Sequence, residues 1–244
     1  MNPLRLVHTI LPEINSLMSR IRVDFGGGCS VSKGAVLAAL CLMGKGGDSI
    51  DIGVYRGRSL VPQALAHRER GRGRVIGVDP YASGEAVEVD NASLRLQLEQ
   101  FVRDTDFDAV YLAAAEFIRD ARLEGHAELR RQSSGTALPQ MIGEGVRASL
   151  VHIDGNHDTA MVVEDAQNAL AITRPEGFVV LDHISWPSVR PAVDLIRQKA
   201  DLIYARVDSQ NDYAVFRIGG SRRNLHALRG RIAEVADAGD RVAA

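Results

Sequence analysis

The chain is predicted to fold as a doubly wound α/β domain, a mostly parallel sheet with helices on both faces and an antiparallel hairpin at its end. Three observations carry this reading: short apolar segments alternate with helical sequence, a glycine-containing turn follows the first of them, and several end in an acid. Parallel neighbours need long crossovers, and helices supply them. The 244 residues suffice for one core. The content of 45% hydrophobic and 25% charged residues is that of a soluble globular protein. A net charge of −2 excludes the broad basic field that nucleic acid binding requires.

Residues 1–45 form a helical extension, because Leu4, Val7, Ile10, Leu11, Ile14 and Leu17 recur at helical spacing and a second apolar run covers Val36–Met43. Its expected job is a lid or a contact between copies in a homo-oligomer. The breaker Gly44–Gly47 separates it from the main domain, 46–220, which opens with strand Ser49–Gly53. A helix over Ser59–Arg70, a turn at 71–73 and strand Arg74–Asp79 complete a β-α-β unit. Further strands are expected at Ala109–Ala113, Ser149–Asp154 and Gly177–Asp182, with 124–147 read as a polar loop insertion. Leu202–Val207 and Tyr213–Ile218 read as a hairpin, and 221–244 as a helical tail.

Cys29 and Cys41 lack paired ligand spacing and read as ordinary thiols. The opening MNPLRLVHTILPEI has no basic segment followed by an apolar run, and no stretch approaches the roughly 20 apolar residues of a membrane span. The expected location is the cytoplasm, with no membrane partner.

Asp51-Ile52-Gly53-Val54-Tyr55-Arg56-Gly57 places glycines where a strand turns sharply into a helix. In dinucleotide-binding turns a second glycine admits the pyrophosphate, and Tyr55 stands in that place. The turn therefore suits a cofactor without phosphates. Asp79, at the end of the second strand, is placed to accept hydrogen bonds from ribose hydroxyls. Alone, Asp51 reads equally as a capping carboxylate and Asp79 as a turn residue before Pro80; their joint placement favours a nucleoside site.

Through Asp51-x-Gly53-x-x-x-Gly57 and Val78-Asp79 the sequence resembles the class I S-adenosylmethionine-dependent methyltransferases. Through IDIGVYRGRSL, LVHIDGNH and GFVVLDHISW it is similar to a small bacterial group, the macrocin-type sugar O-methyltransferases and relatives of cephalosporin hydroxylase, with catechol O-methyltransferase more distant. The resemblance covers about residues 35–218. It implies S-adenosylmethionine as cofactor, held by Asp51, Gly53, Tyr55, Gly57, Ser59, Asp79 and Asp154, with Glu116 beside the adenine. Ser59 reads equally as a helix cap.

Two later strands end in acids, Asp154 and Asp182-His183. Such strand ends converge on the ligand crevice, and two carboxylates there repel unless they share a cation or a proton. The resemblance implies a divalent metal, with Asp154, Asp182 and His183 as ligands. Position 183 departs from the family's usual Asn or Asp, and imidazole suits softer ions than magnesium, so either the metal differs, or His183 serves as a base, or no metal binds. Methyl transfer needs one positioned base; His157 is preferred, with His183 as ligand or substrate contact and Asp154 beside them. Asp165 reads as a solvated helix acid, Trp186 as pocket wall or loop core, and the Arg68–Arg74 cluster as a solvated face.

The expected activity is methyl transfer to a hydroxyl of a small molecule, a sugar or specialised metabolite. Two alternatives stand beside it: a metal-independent N-methyltransferase of an amine, and a protein that binds the cofactor without catalysis. NAD-dependent oxidoreduction is weakened by Tyr55.

Overall fold

The computed structural model describes residues 3–24, 28–90, 95–221 and 224–243. Two N-terminal helices, α1 (Pro3–Arg20) and α2 (Val31–Met43), precede strand β1 (Ser49–Ile52), helix α3 (Leu60–Arg70) and strand β2 (Val75–Val78). A 3₁₀ turn at Ser83–Glu85 leads to α4 (Arg95–Asp104) and α5 (Phe107–Asp120). Then come β3 (Ala127–Arg130), α6 (Ser134–Gly143), β4 (Ala148–Ile153), α7 (Thr159–Ile172) and β5 (Thr173–Asp182). Helix α8 (Arg190–Arg197), the hairpin β6 (Ala200–Val207) and β7 (Asp212–Ile218), and α9 (Leu225–Ala243) complete the chain.

The seven strands form one sheet in the order β3-β2-β1-β4-β5-β7-β6. The first five are parallel and β7 runs antiparallel to both β5 and β6. The predicted α/β class and antiparallel finish are what the chain adopts. Chain order reverses between β1 and β4, and open α/β sheets bind ligands outside the strand ends at such a point.

Alternate residues of the central strands feed two separate cores. Leu150, Phe178 and Val180 pack with α1, α2, α3 and α9, whereas Val151, Ile153, Val179 and Leu181 pack with α6, α7 and α8. Helix α2 is buried from Val31 to Cys41, so the N-terminal helices belong to a covering layer of the sheet. Both cysteines are buried and free.

One strand assignment is corrected. Ala109–Ala113 is the interior of α5, capped by the Asp106 carboxylate, which accepts from the Ala109 N–H at 3.0 Å. Its buried residues Val110, Ala114 and Ile118 recur every fourth position, the period of a helix face. The third strand lies instead at Ala127–Arg130, inside the segment expected to be a loop. As an edge strand it buries only Ala127, so its sequence lacks the apolar run that marks the others.

The basic cluster is also only partly solvated. Arg70 donates to the carbonyls of Cys41 and Gly44 at 2.9 Å each, tying α3 to the end of α2. No helix among the described residues is long and apolar enough to cross a membrane.

Candidate active site

A cavity of about 510 Å³ opens at the ends of β1, β2, β4 and β5. Gly53, Tyr55 and Asp79 line one side; Asp154, His157 and His183 line the other. A volume of this size is ordinary for a small-molecule site.

On the first side, the β1–α3 turn is shaped by close packing. Gly53 has φ +82°, and a Cβ there would stand 2.0 Å from the Asp154 carbonyl oxygen. What excludes a side chain at position 53 is the neighbouring strand end. Gly57 has φ +90° with open space where a Cβ would go, so its need is conformational. Tyr55 adopts φ +48°, its hydroxyl donating to Asp24 at 2.6 Å and its ring meeting Phe101 edge-on at 5.8 Å.

The Asp79 carboxylate accepts the backbone N–H of Tyr55 at 2.8 Å and that of Tyr81 at 2.7 Å, one on each oxygen. A carboxylate has about four acceptor positions, so these two bonds leave capacity for a further donor. Burial pushes its pKa up.

Ser59 lines the cavity with its hydroxyl committed to Asp51 at 2.7 Å. Asp51 is fully buried behind the wall, and its other oxygen meets His152 Nδ1 at 2.6 Å. Neither Asp51 nor Gly57 is among the lining residues. Glu116 lies farther off: it is exposed on α5, pairs with Arg119 at 3.4 Å, and does not line the cavity.

The second side is a chain of buried ionisable groups. His152 Nε2 stands 3.2 Å from Asp182 Oδ1, and the Lys33 ammonium from α2 bonds Asp182 Oδ2 and reaches Asp154 Oδ2 at 3.2 Å. Asp154 Oδ1 faces two imidazoles, with His157 Nε2 and His183 Nε2 each at 3.6 Å. His157 Nδ1 is held by Glu88 at 2.7 Å. Glu88 is fixed in turn because Asn156 donates to the carbonyls of Glu85 and Val87, both at 3.0 Å.

From Asp51 to Glu88 acids alternate with basic groups, which is how buried charge becomes tolerable. Burial opposes charge on His152, but Asp182 and Asp51 outweigh it and push its pKa up to about 9. Burial likewise opposes charge on His157, and Asp154 and Glu88 outweigh it, again to about 9. The Asp154 carboxyl is held well below its usual range because the Lys33 field overcomes burial. His183 goes the other way: burial, aided by His157 beside it, lowers its pKa despite Asp154. His183 has φ +54° and is braced by its N–H to the Asp212 carbonyl at 2.6 Å. Its ring packs on Trp186 at 4.2 Å, which makes Trp186 cavity wall.

These contacts decide how a divalent ion would fare. Both oxygens of Asp182 are engaged, one by His152 and one by Lys33, and the ammonium stands between the two acids where an ion would go. The outer grouping of Asp154, His157 and His183 brings its ligand atoms within 4.8 Å of one another. It offers one carboxylate already shared with an ammonium, plus two imidazoles, a poor donor set for hard magnesium. The inner grouping of His152, Asp154 and Asp182 has ligand atoms equally close, but an ion there would have to displace Lys33 from both acids and compete with His152 for Asp182.

Lys33 and Glu88 escape sequence reasoning. Lys33 is the one cationic side chain in the apolar stretch Val31–Met43, and that isolation is the signal. Glu88 has no comparable mark. Asp165, expected on a solvated face, is buried below the site, and burial pushes its pKa up to about 6.

A family model described as "Methyltransferase domain" matches residues 50–184, more than half of the chain. An O-methyltransferase from Bacillus cereus in complex with SAH is similar in structure, with TM-score 0.61 and 17% identity, covering 87% of this chain and 91% of that one. The O-methyltransferase TomG from Streptomyces achromogenes, solved with SAM, gives TM-score 0.56 and 15% identity over 86% of this chain and 89% of that one. At such identities the likeness concerns the fold. No curated protein sequence matches. With the cavity at the sheet's switch point and the family match spanning β1 through the end of β5, the chain belongs to the methyltransferase-domain family.

Proposed function

We propose that the protein transfers the methyl group of S-adenosylmethionine to a hydroxyl oxygen of a small molecule, with His183 taking the hydroxyl proton. When bound, the cofactor supplies an electrophilic methyl on a sulfonium. The chain's own part is to seat it and to deprotonate the acceptor. Asp79 would receive the ribose diol, and Gly53 and Tyr55, which line the same side of the cavity, would border the methionine end. The carrying observation is the His183–Asp154 pair at the cavity wall, a neutral imidazole facing an ionised carboxylate at 3.6 Å.

A base must be unprotonated to act, and this separates the two histidines. His157, raised to about 9, is charged at neutral pH and serves as a fixed partner of Asp154 and Glu88. His183 is free to accept a proton, and Asp154 then stabilises the imidazolium. With the cofactor bound, the acceptor oxygen would take the methyl as the cofactor leaves as a thioether, and His183 would hold the hydroxyl proton. Proximity supplies the rest of the acceleration. The resemblance to sugar O-methyltransferases, and the involvement of TomG in tomaymycin synthesis, make sugars and hydroxylated specialised metabolites the first acceptors to try.

Calorimetric titration with S-adenosylhomocysteine tests the cofactor half, and absence of binding removes the reading. Methyl transfer from labelled cofactor across a panel of such acceptors tests the rest. His183→Gln should lower turnover about 10²–10⁴-fold with cofactor affinity unchanged. Because the His183 pKa is lowered, kcat/KM should rise with pH through a limb below the ordinary histidine value of 6.5 and then level off.

A further inference from the structure

Lys33 occupies a place that local stability does not explain. It is the third residue of α2, in the first turn, where a cation opposes the positive end of the helix dipole. It is also 5% exposed, and a buried ammonium is costly unless paired. The helix start is nevertheless well made: Ser30 caps it, accepting the Lys33 N–H at 3.0 Å, and is itself anchored on Asn211 at 2.6 Å. The whole first turn is thus fixed in a position that delivers the lysine side chain to the ends of β4 and β5.

There the ammonium has two partners and no others among the described residues, Asp182 and Asp154. Asp154 lines the crevice, while Asp182 is buried behind it and locked from its other side by His152. Two carboxylates that converge there need a shared cation or a shared proton. The chain carries that cation on its own helix.

We propose that Lys33 is the resident cation of this active site, standing where a divalent ion would bridge Asp154 and Asp182, so that methyl transfer here needs no metal. The inference rests on the methyltransferase reading and deepens it. Lys33 is a positioning residue: it orients Asp154 so that Oδ2 is turned to the ammonium and Oδ1 to His183 and His157. The acceptor hydroxyl is then held and deprotonated by imidazole, with no ion to bind it. An acceptor therefore needs one hydroxyl facing His183, where a chelated ion would favour a pair of adjacent oxygens.

Manganese reports directly on the acid pair, because bound Mn²⁺ loses the sharp paramagnetic resonance of the free ion. The full chain, treated with EDTA, dialysed and saturated with S-adenosylhomocysteine, is titrated with Mn²⁺. The wild type should leave the free-ion signal undiminished. Lys33→Met should gain one site, with affinity at least tenfold above the wild type, and Lys33→Met/Asp182→Asn should lose it again. Turnover of the wild type should be equal in EDTA and in added Mg²⁺ or Mn²⁺.

The proposal is overturned if the wild type binds one Mn²⁺ that Asp182→Asn removes, or if EDTA abolishes turnover and a divalent ion restores it. Should Lys33→Met fail to fold, the wild-type titration and the EDTA comparison decide alone. Homocysteine-cofactor calorimetry stands apart from these measurements. Binding of that cofactor together with a Mn²⁺ site in the wild type would remove the lysine proposal and leave the methyltransferase reading intact.

Discussion

The two halves of the cavity are built on different physics. At the ends of β1 and β2 the site is mostly backbone: a turn with two positive-φ glycines, a strained Tyr55, and one acid held by peptide N–H groups. At the ends of β4 and β5 it is a buried run of charged groups from Asp51 through His152, Asp182, Lys33 and Asp154 to His157 and Glu88. The first half can lose a polar group and keep its shape. In the second each group is the counter-ion of the next, so one deletion leaves a charge uncompensated in a poor solvent for charge.

The largest expected effect breaks that chain at its middle. Lys33→Met leaves Asp154 and Asp182 facing each other, and removing one partner of a buried pair costs about 3–5 kcal/mol. Chemical denaturation of the purified variant measures it. Lys33→Met/Asp182→Asn should recover part of the loss, since the second change removes the orphaned charge. If the single variant is as stable as the wild type, the second half is not the cooperative unit described here.

The same contrast explains what could be read without a structure. Gly53, Gly57 and Asp79 lie within one β-α-β unit, so a local pattern was enough to draw the first half. The acids at 154 and 182 were visible as strand ends, and their mutual repulsion asked for a shared cation or proton, which the resemblance made a divalent metal where the structure has the Lys33 ammonium. Its source was not visible, because Lys33 reaches Asp154 across 121 positions of sequence from a helix expected to be a lid or contact. The third strand was missed for a related reason. Its edge position exposes it to solvent, while the α5 segment at 109–113 carries the apolar residues of a helix face. The pocket histidines were both named from their strand ends, but only burial and neighbours distinguish a charged His157 from a neutral His183.

A milder way to stress the charged half is pH. His152 and His157 have folded pKa values raised to about 9, against 6.5 for an ordinary histidine. A raised value means that the folded state binds the proton more tightly. The stabilisation is therefore complete below 6.5 and disappears as pH climbs through about 9. Between pH 6.5 and 10 stability should fall by several kcal/mol, at about 1.4 kcal/mol per unit for each group, visible as a melting temperature lower by about 5 °C or more. His152→Gln should flatten the slope, and an unchanged slope would place the titration elsewhere.

Asp79→Asn probes the other half, where function and stability should separate. Burial raises the Asp79 pKa, so losing the charge itself costs folding little, but the new amide NH2 replaces one of the two oxygens that accept backbone N–H groups and leaves one donor unmatched, at about 1–3 kcal/mol. The ribose, however, loses a charged acceptor, and such hydrogen bonds contribute about 1.5–3 kcal/mol. S-adenosylhomocysteine should bind about 10–100-fold more weakly by calorimetry, with the melting temperature of the free protein lower by only about 2–5 °C. A large stability loss would show that Asp79 works chiefly as a brace for Tyr55 and Tyr81, whose N–H groups it accepts.

The smallest effect is expected at Glu116, which the resemblance put beside the adenine and the fold puts on the exposed face of α5. Its pair with Arg119 joins two side chains that are each about two-thirds exposed, so solvent screens most of their attraction. Glu116→Ala should change stability by less than about 0.5 kcal/mol and leave cofactor affinity unaltered. The adenine would then be met by the residues that follow β3, and Ser134 at the start of α6 is the one that lines the cavity there. A tenfold loss of cofactor affinity in Glu116→Ala would instead mean that α5 swings over the bound nucleoside. The boundary drawn here between the backbone-built half and its surroundings would then have to move outward to include that helix.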